Sequence, residues 1–222
     1  MFTRAVESAT AKRYQLTVDN KNGFMELDPN KLAPREIYHW LIGLINPRPI
    51  AWVSTISAAG VANLAPYSFF NGVGSNPPLV MFCPANRRDG SAKDTLANIQ
   101  STGQFVVNVV TDQFAEAMKQ TAGEYTPDED EFELAEIDKA PSRVIRPPRV
   151  ANVDAAMECT LHQAMQLGVG PGGANLVIGR IVNFFIADHL VTDDGKLAAE
   201  RLKTIGRMGG AGYVYTDQRF EL

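Results

Sequence analysis

Between residues 34 and 45 the apolar positions Ile37, Leu41, Leu44 and Ile45 recur at helical spacing. Pro34 stands in the first turn, where its missing N–H breaks no bond. This stretch predicts one amphipathic helix. The period then shortens. In residues 47–70, PRPIAWVSTISAAGVANLAPYSFF, the strand formers Ile50, Trp52, Val53 and Ile56 lead to an Ala58-Ala59-Gly60 turn, and a second strand-like run follows it. Pro47 and Pro49 restrict the approach. The pattern is a β-hairpin, but Asn63, Ala65, Pro66 and Ser68 interrupt its second strand with small and polar residues. Pro66 has no ladder donor and belongs at a sheet edge, a bulge or a strand end. Backbone N–H and C=O groups near it are then free to meet a ligand.

Beyond the hairpin, strands dominate. Asn76-Pro77-Pro78 introduces the continuous apolar run 79–83, LVMFC, which reads as a strand buried on both faces. A loop with Arg87 and Arg88 follows. Ser91 and Asp94 have the spacing of a helix capping box, and Leu96 and Ile99 share one face beyond it, so a helix is expected to start near Lys93. Residues 105–110 form the next strand, and Phe114, Ala117 and Met118 mark a short helix. The acidic, turn-rich stretch 123–133, GEYTPDEDEFE, reads as a solvated loop, because its carboxylates lack calcium-loop spacing and the required glycine. Residues 157–167 and 175–187 are two long strands joined by glycines, and Asp193-Asp194-Gly195 is a turn. The closing segment GRMGGAGYVYTD resembles neither a helix nor a regular strand. The expectation is mainly β with peripheral helices: a β-barrel in a single domain spanning 1–222, with residues 1–22 a peripheral extension.

Composition narrows the function classes. Of 222 residues, 45% are hydrophobic and 21% charged, which are ordinary globular values. A net charge of -4 and a pI near 5.4 argue against a nucleic-acid binder that tracks phosphates with a basic face. No stretch approaches the ~18 apolar residues of a membrane span, and the first residues lack a signal peptide's apolar core, so a cytoplasmic protein with no membrane partner is expected. Cys83 and Cys159 lie in apolar runs without a CxxC motif, and read as reduced core thiols. His39, His162 and His189 are far apart and form no ligand pair, so no metal is expected.

Two motifs carry candidate chemistry. Residues 168–173, GVGPGG, match G-x-G-x-x-G formally, but a β-branched, aromatic segment follows where a dinucleotide site needs a helix, so the string reads as a hairpin loop. Around residues 87–95 the picture differs. A helix starting near Lys93 presents unpaired N–H groups and a positive dipole end, to which Lys93, Thr95 and Arg87 add an ammonium, a hydroxyl and a guanidinium. A phosphate site and a capped helix with solvated charges both fit these residues alone.

The chain resembles the flavin reductase-like, FMN-binding split-barrel family, and within it the branch that includes reductase components of two-component flavin monooxygenases. The matching pieces are RPIAWVST at 48–55, NLAPYSFFNGVGSNPP at 63–78, KDTLANI at 93–99, GQFVVNVV at 103–110 and GRMGG at 206–210. The resemblance implies an FMN-binding split β-barrel, a homodimer, and NAD(P)H as co-substrate. It places Asn63, Leu64, Ala65, Pro66, Tyr67, Ser68 and Phe69 along the isoalloxazine, with Arg48 at the head of the opening strand among the cofactor contacts. Ser54 and Thr55 fall near the ribityl-phosphate, Lys93, Asp94 and Thr95 at the phosphate, Arg87 beside them, and GRMGG as a pocket wall. The implied activity is hydride transfer to flavin N5 by a flavin reductase, with a flavin-dependent monooxygenase as a candidate partner. A non-enzymatic FMN-binding or electron-carrier protein is the alternative. A haem variant of the fold finds no histidine in the hairpin or the phosphate segment.

Overall fold

The computed structural model describes residues 25–222. The expected extension 1–22 lies outside them. The chain divides into two units after Ile45. In the first, Asp28 caps a 3₁₀ turn over Pro29–Lys31, and helix α1 spans Pro34–Leu44. Glu36 accepts the Ala33 N–H at 2.8 Å, half of a capping box, and Pro34 occupies the first turn as the sequence predicts. Ile42 is buried, whereas Leu41, Leu44 and Ile45 of the expected apolar face are exposed.

The second unit is built on a seven-stranded antiparallel sheet. Its strands are β1 (Ala51–Ile56), β2 (Ala62–Tyr67), β3 (Phe70–Ser75), β4 (Pro78–Phe82), β5 (Gln104–Val109), β8 (Ala155–Gln166) and β9 (Asn175–Ile186). They are ordered β2-β1-β5-β8-β9-β4-β3, so the two edges, β2 and β3, are consecutive in the chain. The predicted hairpin is β1–β2. Its turn closes with Ser57 N–H to Val61 O at 2.8 Å, and Gly60 takes the left-handed φ of 91° that the turn demands. Pro66 pairs with Trp52 on an edge strand, one of the places its missing N–H allows.

Alternation along β1 divides the interior in two. Trp52 points into a cluster with Leu64, Val106, Met118 and Phe132, while Ala51 and Val53 point to the opposite face with Tyr67, Phe82, Leu96, Ile99 and Phe105. Trp52 Nε1 donates to Thr121 at 2.8 Å, so its indole is buried without an orphaned donor. Helix α2 (Asp94–Thr102) covers the second face, ending on Gly103 with φ 69°. Helices α3 (Ala115–Gln120) and α4 (Glu131–Leu134) contribute Met118 and Phe132 to the first. Two small ladders complete the unit: β6 (Lys139–Ala140) with β7 (Arg149–Val150), and β10 (Ile205–Arg207) with β11 (Tyr213–Tyr215).

Four sequence expectations need correction, and one strand was not anticipated. Residues 70–75 form the edge strand β3, hidden in the sequence by Gly72 and Gly74, where the register slips. Strand β4 buries Val80 and Phe82, but Leu79 and Met81 only partly, because it lies next to an exposed edge. The helix cap is Lys93 and uses no side chain, since Ser91 is hydrogen-bonded to Asp89 instead of to the helix. The acidic stretch is not wholly solvated: Glu131 and Phe132 are buried in α4. The segment GRMGGAGYVYTD makes the β10–β11 hairpin, its turn closed by Met208 N–H to Gly212 O at 3.0 Å. Both cysteines are free, Cys159 buried and Cys83 only half-buried, and burial raises both thiols above their ordinary value.

Candidate functional site

At the N-terminus of α2 the chain leaves a cavity of about 270 Å³, walled by Asn63, Ala65 and Tyr67 of β2, the 85–95 segment, residues 123–125 and Glu131. The strand contributes alternate residues, because a period of two sends Leu64 into the core on the other face. The first turn of α2 brings its free backbone N–H groups to this place, since Lys93 caps it only by an extended backbone, φ -70° and ψ 153°. Lys93 reaches over the Tyr67 ring at 6.0 Å and makes no ion pair among the described residues.

Arg87 is differently employed. It pairs with Asp94 and donates to Ala92 O at 3.2 Å and Tyr125 O at 3.5 Å, so it ties the loop to the helix start as well as lining the cavity. The turn that delivers it needs Gly90, at φ 86°, with Gly90 N–H bonded to Arg87 O at 3.0 Å. The Tyr67 hydroxyl is buried and has no hydrogen-bond partner among the described residues. Burial pushes its phenol well above the ordinary value, against a smaller lowering effect from the neighbouring Thr95 hydroxyl, so it stays neutral. The Thr95 hydroxyl beside it is spent on Asn63 Oδ1 at 2.6 Å.

Asn63 is the hub. Its Oδ1 accepts from Thr95 and, at 3.3 Å, from Thr55, which itself accepts from Asn98 at 3.1 Å. Its Nδ2 donates to Glu131, and the second carboxylate oxygen accepts the Leu64 N–H at 3.0 Å. Glu131 thus closes the outer edge of β2. Burial raises its carboxyl above the ordinary range, against the lowering effect of these two donors.

Seven of the residues expected at the cofactor meet in this cavity: Asn63, Ala65, Tyr67, Arg87, Lys93, Asp94 and Thr95. Thr55 stands behind them, fully buried. The others lie elsewhere. Ser54 faces the opposite side of the sheet, donating to Pro148 O at 2.6 Å, because it is one residue out of phase with Thr55. Leu64 is core, and its backbone N–H, offered to a ligand in the sequence reading, is taken by Glu131. Pro66 alternates with the lining residues and is not among them. Arg48 is buried, donating to Ser68 at 3.3 Å and Met208 O at 3.1 Å, and joins the β2–β3 corner to the GRMGG turn. Phe69 accepts the Cys83 N–H there at 2.9 Å. Glu131 was missed by sequence. The signal for it was Phe132, a large aromatic within an acidic run, which had to be buried somewhere.

Two other cavities are less equipped. One of about 530 Å³ lies between α3 and the β10–β11 hairpin, and one of about 240 Å³ is lined by Arg48, Phe70 and Gly206. Neither contains a buried unpartnered donor among the described residues. Among those same residues no cluster of side chains could hold a metal ion, and no helix is long and apolar enough to cross a membrane.

Residues 44–219 match the family described as flavin reductase like domain. The chain belongs to the flavin reductase-like family. Among solved structures it is similar to nitrilotriacetate monooxygenase component B from Bacillus cereus, with 38% identity and a TM-score of 0.85 over 90% of this chain and 100% of that one. It is also similar to the 2-nitrobenzoate 2-nitroreductase of Pseudomonas fluorescens, with 31% identity and a TM-score of 0.80 over 89% and 95% of the two chains. A Shewanella frigidimarina structure assigned as a flavin reductase with a split barrel domain gives 25% identity and a TM-score of 0.75, over 90% and 98%. This member of the family is therefore a flavin oxidoreductase on a split β-barrel.

Proposed function

We propose that the cavity at the start of α2 holds the ribityl-phosphate end of FMN, and that the protein is a homodimeric NAD(P)H:flavin reductase. One observation carries the reading. An ammonium without an ion pair among the described residues and uncapped helix N–H groups converge on one cavity beside β2, with the buried, neutral Tyr67 phenol in its wall. That donor set fits a doubly charged phosphate and the oxygen-rich chain attached to it.

Bound FMN supplies the hydride chemistry at N5. The chain's part is to hold and orient the cofactor. Lys93 and the first turn of α2 neutralise the phosphate, while Asn63 and Ala65 lie along the strand that leads away from it. Pockets that engulf a drug-sized ligand run from about 300 to 1,000 Å³. At about 270 Å³ this cavity takes only part of a flavin. The residues lining it would hold the ribityl-phosphate end and leave the ring open to NAD(P)H. The similarity to a monooxygenase component B supports a flavin-dependent monooxygenase as the partner that consumes reduced flavin.

Fluorescence titration with FMN, followed by anaerobic NADH and NADPH addition, tests the reading. We expect saturable binding, bleaching of the flavin spectrum, and an affinity at least about tenfold lower in Lys93→Ala, since a charged hydrogen bond contributes about 1.5 to 3 kcal/mol. Undiminished FMN affinity in a folded Lys93→Ala protein removes the site, and a bound flavin that neither nucleotide reduces removes the activity.

A further inference from the structure

Two glutamates are buried among the described residues, Glu131 and Glu158. Glu158 accepts the Arg143 and Val144 N–H groups, both at 2.8 Å, and Asn183 Nδ2 at 3.1 Å, and so anchors a loop to the sheet. Glu131 does something else. It is on the wall of the flavin cavity, and one of its two partners is a side chain on that same wall.

The hydrogen bonds around Asn63 run in one direction. An ionised carboxylate has no hydrogen to give, so the Asn63 atom facing Glu131 is Nδ2. Oδ1 must then face Thr95 and Thr55, whose hydroxyls donate to it, and both its lone pairs are occupied. One hydrogen of Nδ2 remains, with no partner among the described residues, on a residue that lines the cavity. The Thr95 hydroxyl, with its hydrogen committed to Asn63, is not available to donate to a phosphate.

We propose that Glu131 is a positioning residue for flavin binding: by fixing the Asn63 amide it presents an N–H donor to the cavity, and selects a neutral acceptor oxygen or nitrogen of the ribityl chain or ring. The assignment rests on the flavin reading of the cavity. Its chemistry makes a distinctive demand. In Glu131→Gln the new amide keeps the Leu64 N–H on its oxygen but points an NH₂ at the NH₂ of Asn63. The Asn63 amide turns over to relieve the clash, and an acceptor faces the cavity in place of a donor.

Exchanging the two groups separates positioning from packing. In Asn63→Asp with Glu131→Gln, the carboxylate now at position 63 accepts from the amide now at position 131 and from both threonines, so the interior is paired again, yet an oxygen still faces the cavity. FMN and riboflavin are titrated against wild type, E131Q and the N63D/E131Q double variant, and melting temperatures are recorded alongside. We expect E131Q to weaken riboflavin by about tenfold and FMN by less, because the lost contact is not to the phosphate while a negative charge leaves the wall that the phosphate shares. The double variant should regain the melting temperature without regaining affinity. E131Q binding both flavins as tightly as wild type overturns the assignment, as does affinity that returns together with stability in the double variant. Absence of flavin binding by the wild-type protein overturns the reading of the cavity and this assignment with it, whereas wild-type FMN binding with an unaffected E131Q overturns this assignment alone.

Discussion

At the scale of single residues, the Glu131 carboxyl is held by Asn63 and the β2 edge without a cation in contact among the described residues. Removing Glu131 from water favours its protonated form, and the Leu64 and Asn63 donors offset only part of this. Its folded pKa therefore lies above the ordinary value of 4.5. Between those two values the native chain binds more protons than the unfolded chain, so stability falls as pH rises through that interval. The contribution is full below the ordinary value and is lost once the folded carboxyl ionises. The melting temperature of wild type minus that of E131Q should therefore decline from about pH 4 upward and then level off. Other carboxylates titrate alike in both proteins and cancel from the difference. A difference constant from about pH 4 to about pH 8 refutes the shift.

Lys93, Asp94, Thr95 and Arg87 were readable because a helix start and its charges are local in sequence. Residues 63–69 were readable as a stretch, but not residue by residue. Which of Ser54 and Thr55 turns toward α2 is set by the register of β1 against β5, where Ser54 opposes Val106. A register is a long-range fact, and a one-residue change in it exchanges the faces that Ser54 and Thr55 occupy. Glu131 lies 68 residues from Asn63, and nothing local announces their contact.

Elements with one strong period came out of the sequence nearly intact: α1, α2, β5, β8 and β9 all lie within a few residues of their expected positions. Those without a period did not. Strand β3 is too exposed to alternate, α4 is one turn long, and β10–β11 depends on pairing across a glycine turn. Glycine inside β9 illustrates a feature the pattern could not explain. Gly179 pairs with Val80 on one side and Leu161 on the other, and a Cβ there would stand 2.2 Å from Phe105 Cζ and 3.3 Å from Cys159 Cβ. Phe105 has no room to yield, being fully buried with its ring edge-on to Phe82 at 5.5 Å. Gly179→Ala should cost about 1–3 kcal/mol of unfolding free energy in denaturant titrations, the range for overpacked cores. An unchanged midpoint and slope would mean that Phe105 repacks freely.

For the whole molecule, the outer face of β9 leaves apolar side chains in the open. Strand β9 lies between β8 and β4, but β4 reaches only residues 177–180, so beyond Arg180 the strand is paired with β8 alone; there Asn183 and Phe185 are engaged below it with Glu158 and the core. Yet Val182 and Phe184, alternating with them, are 42% and 57% exposed. Contiguous exposed apolar surface is where association sites are found, and these two side chains lie side by side on one face of the strand. On the proposed flavin reading the cavity agrees with this, since at about 270 Å³ it would leave part of a flavin outside it for a second subunit to cover. If this face is the dimer contact, sedimentation velocity should give twice the 24.2 kDa chain mass for the wild-type protein. Phe184→Asp should sediment as a monomer while keeping its far-ultraviolet dichroism, because its ring supports no core packing that the substitution would remove. FMN affinity should fall with the dimer and recover at protein concentrations that restore it, as linkage between assembly and binding requires. A Phe184→Asp protein that remains dimeric places the contact elsewhere, and a monomer that binds FMN as tightly as the dimer shows that one chain completes the flavin site.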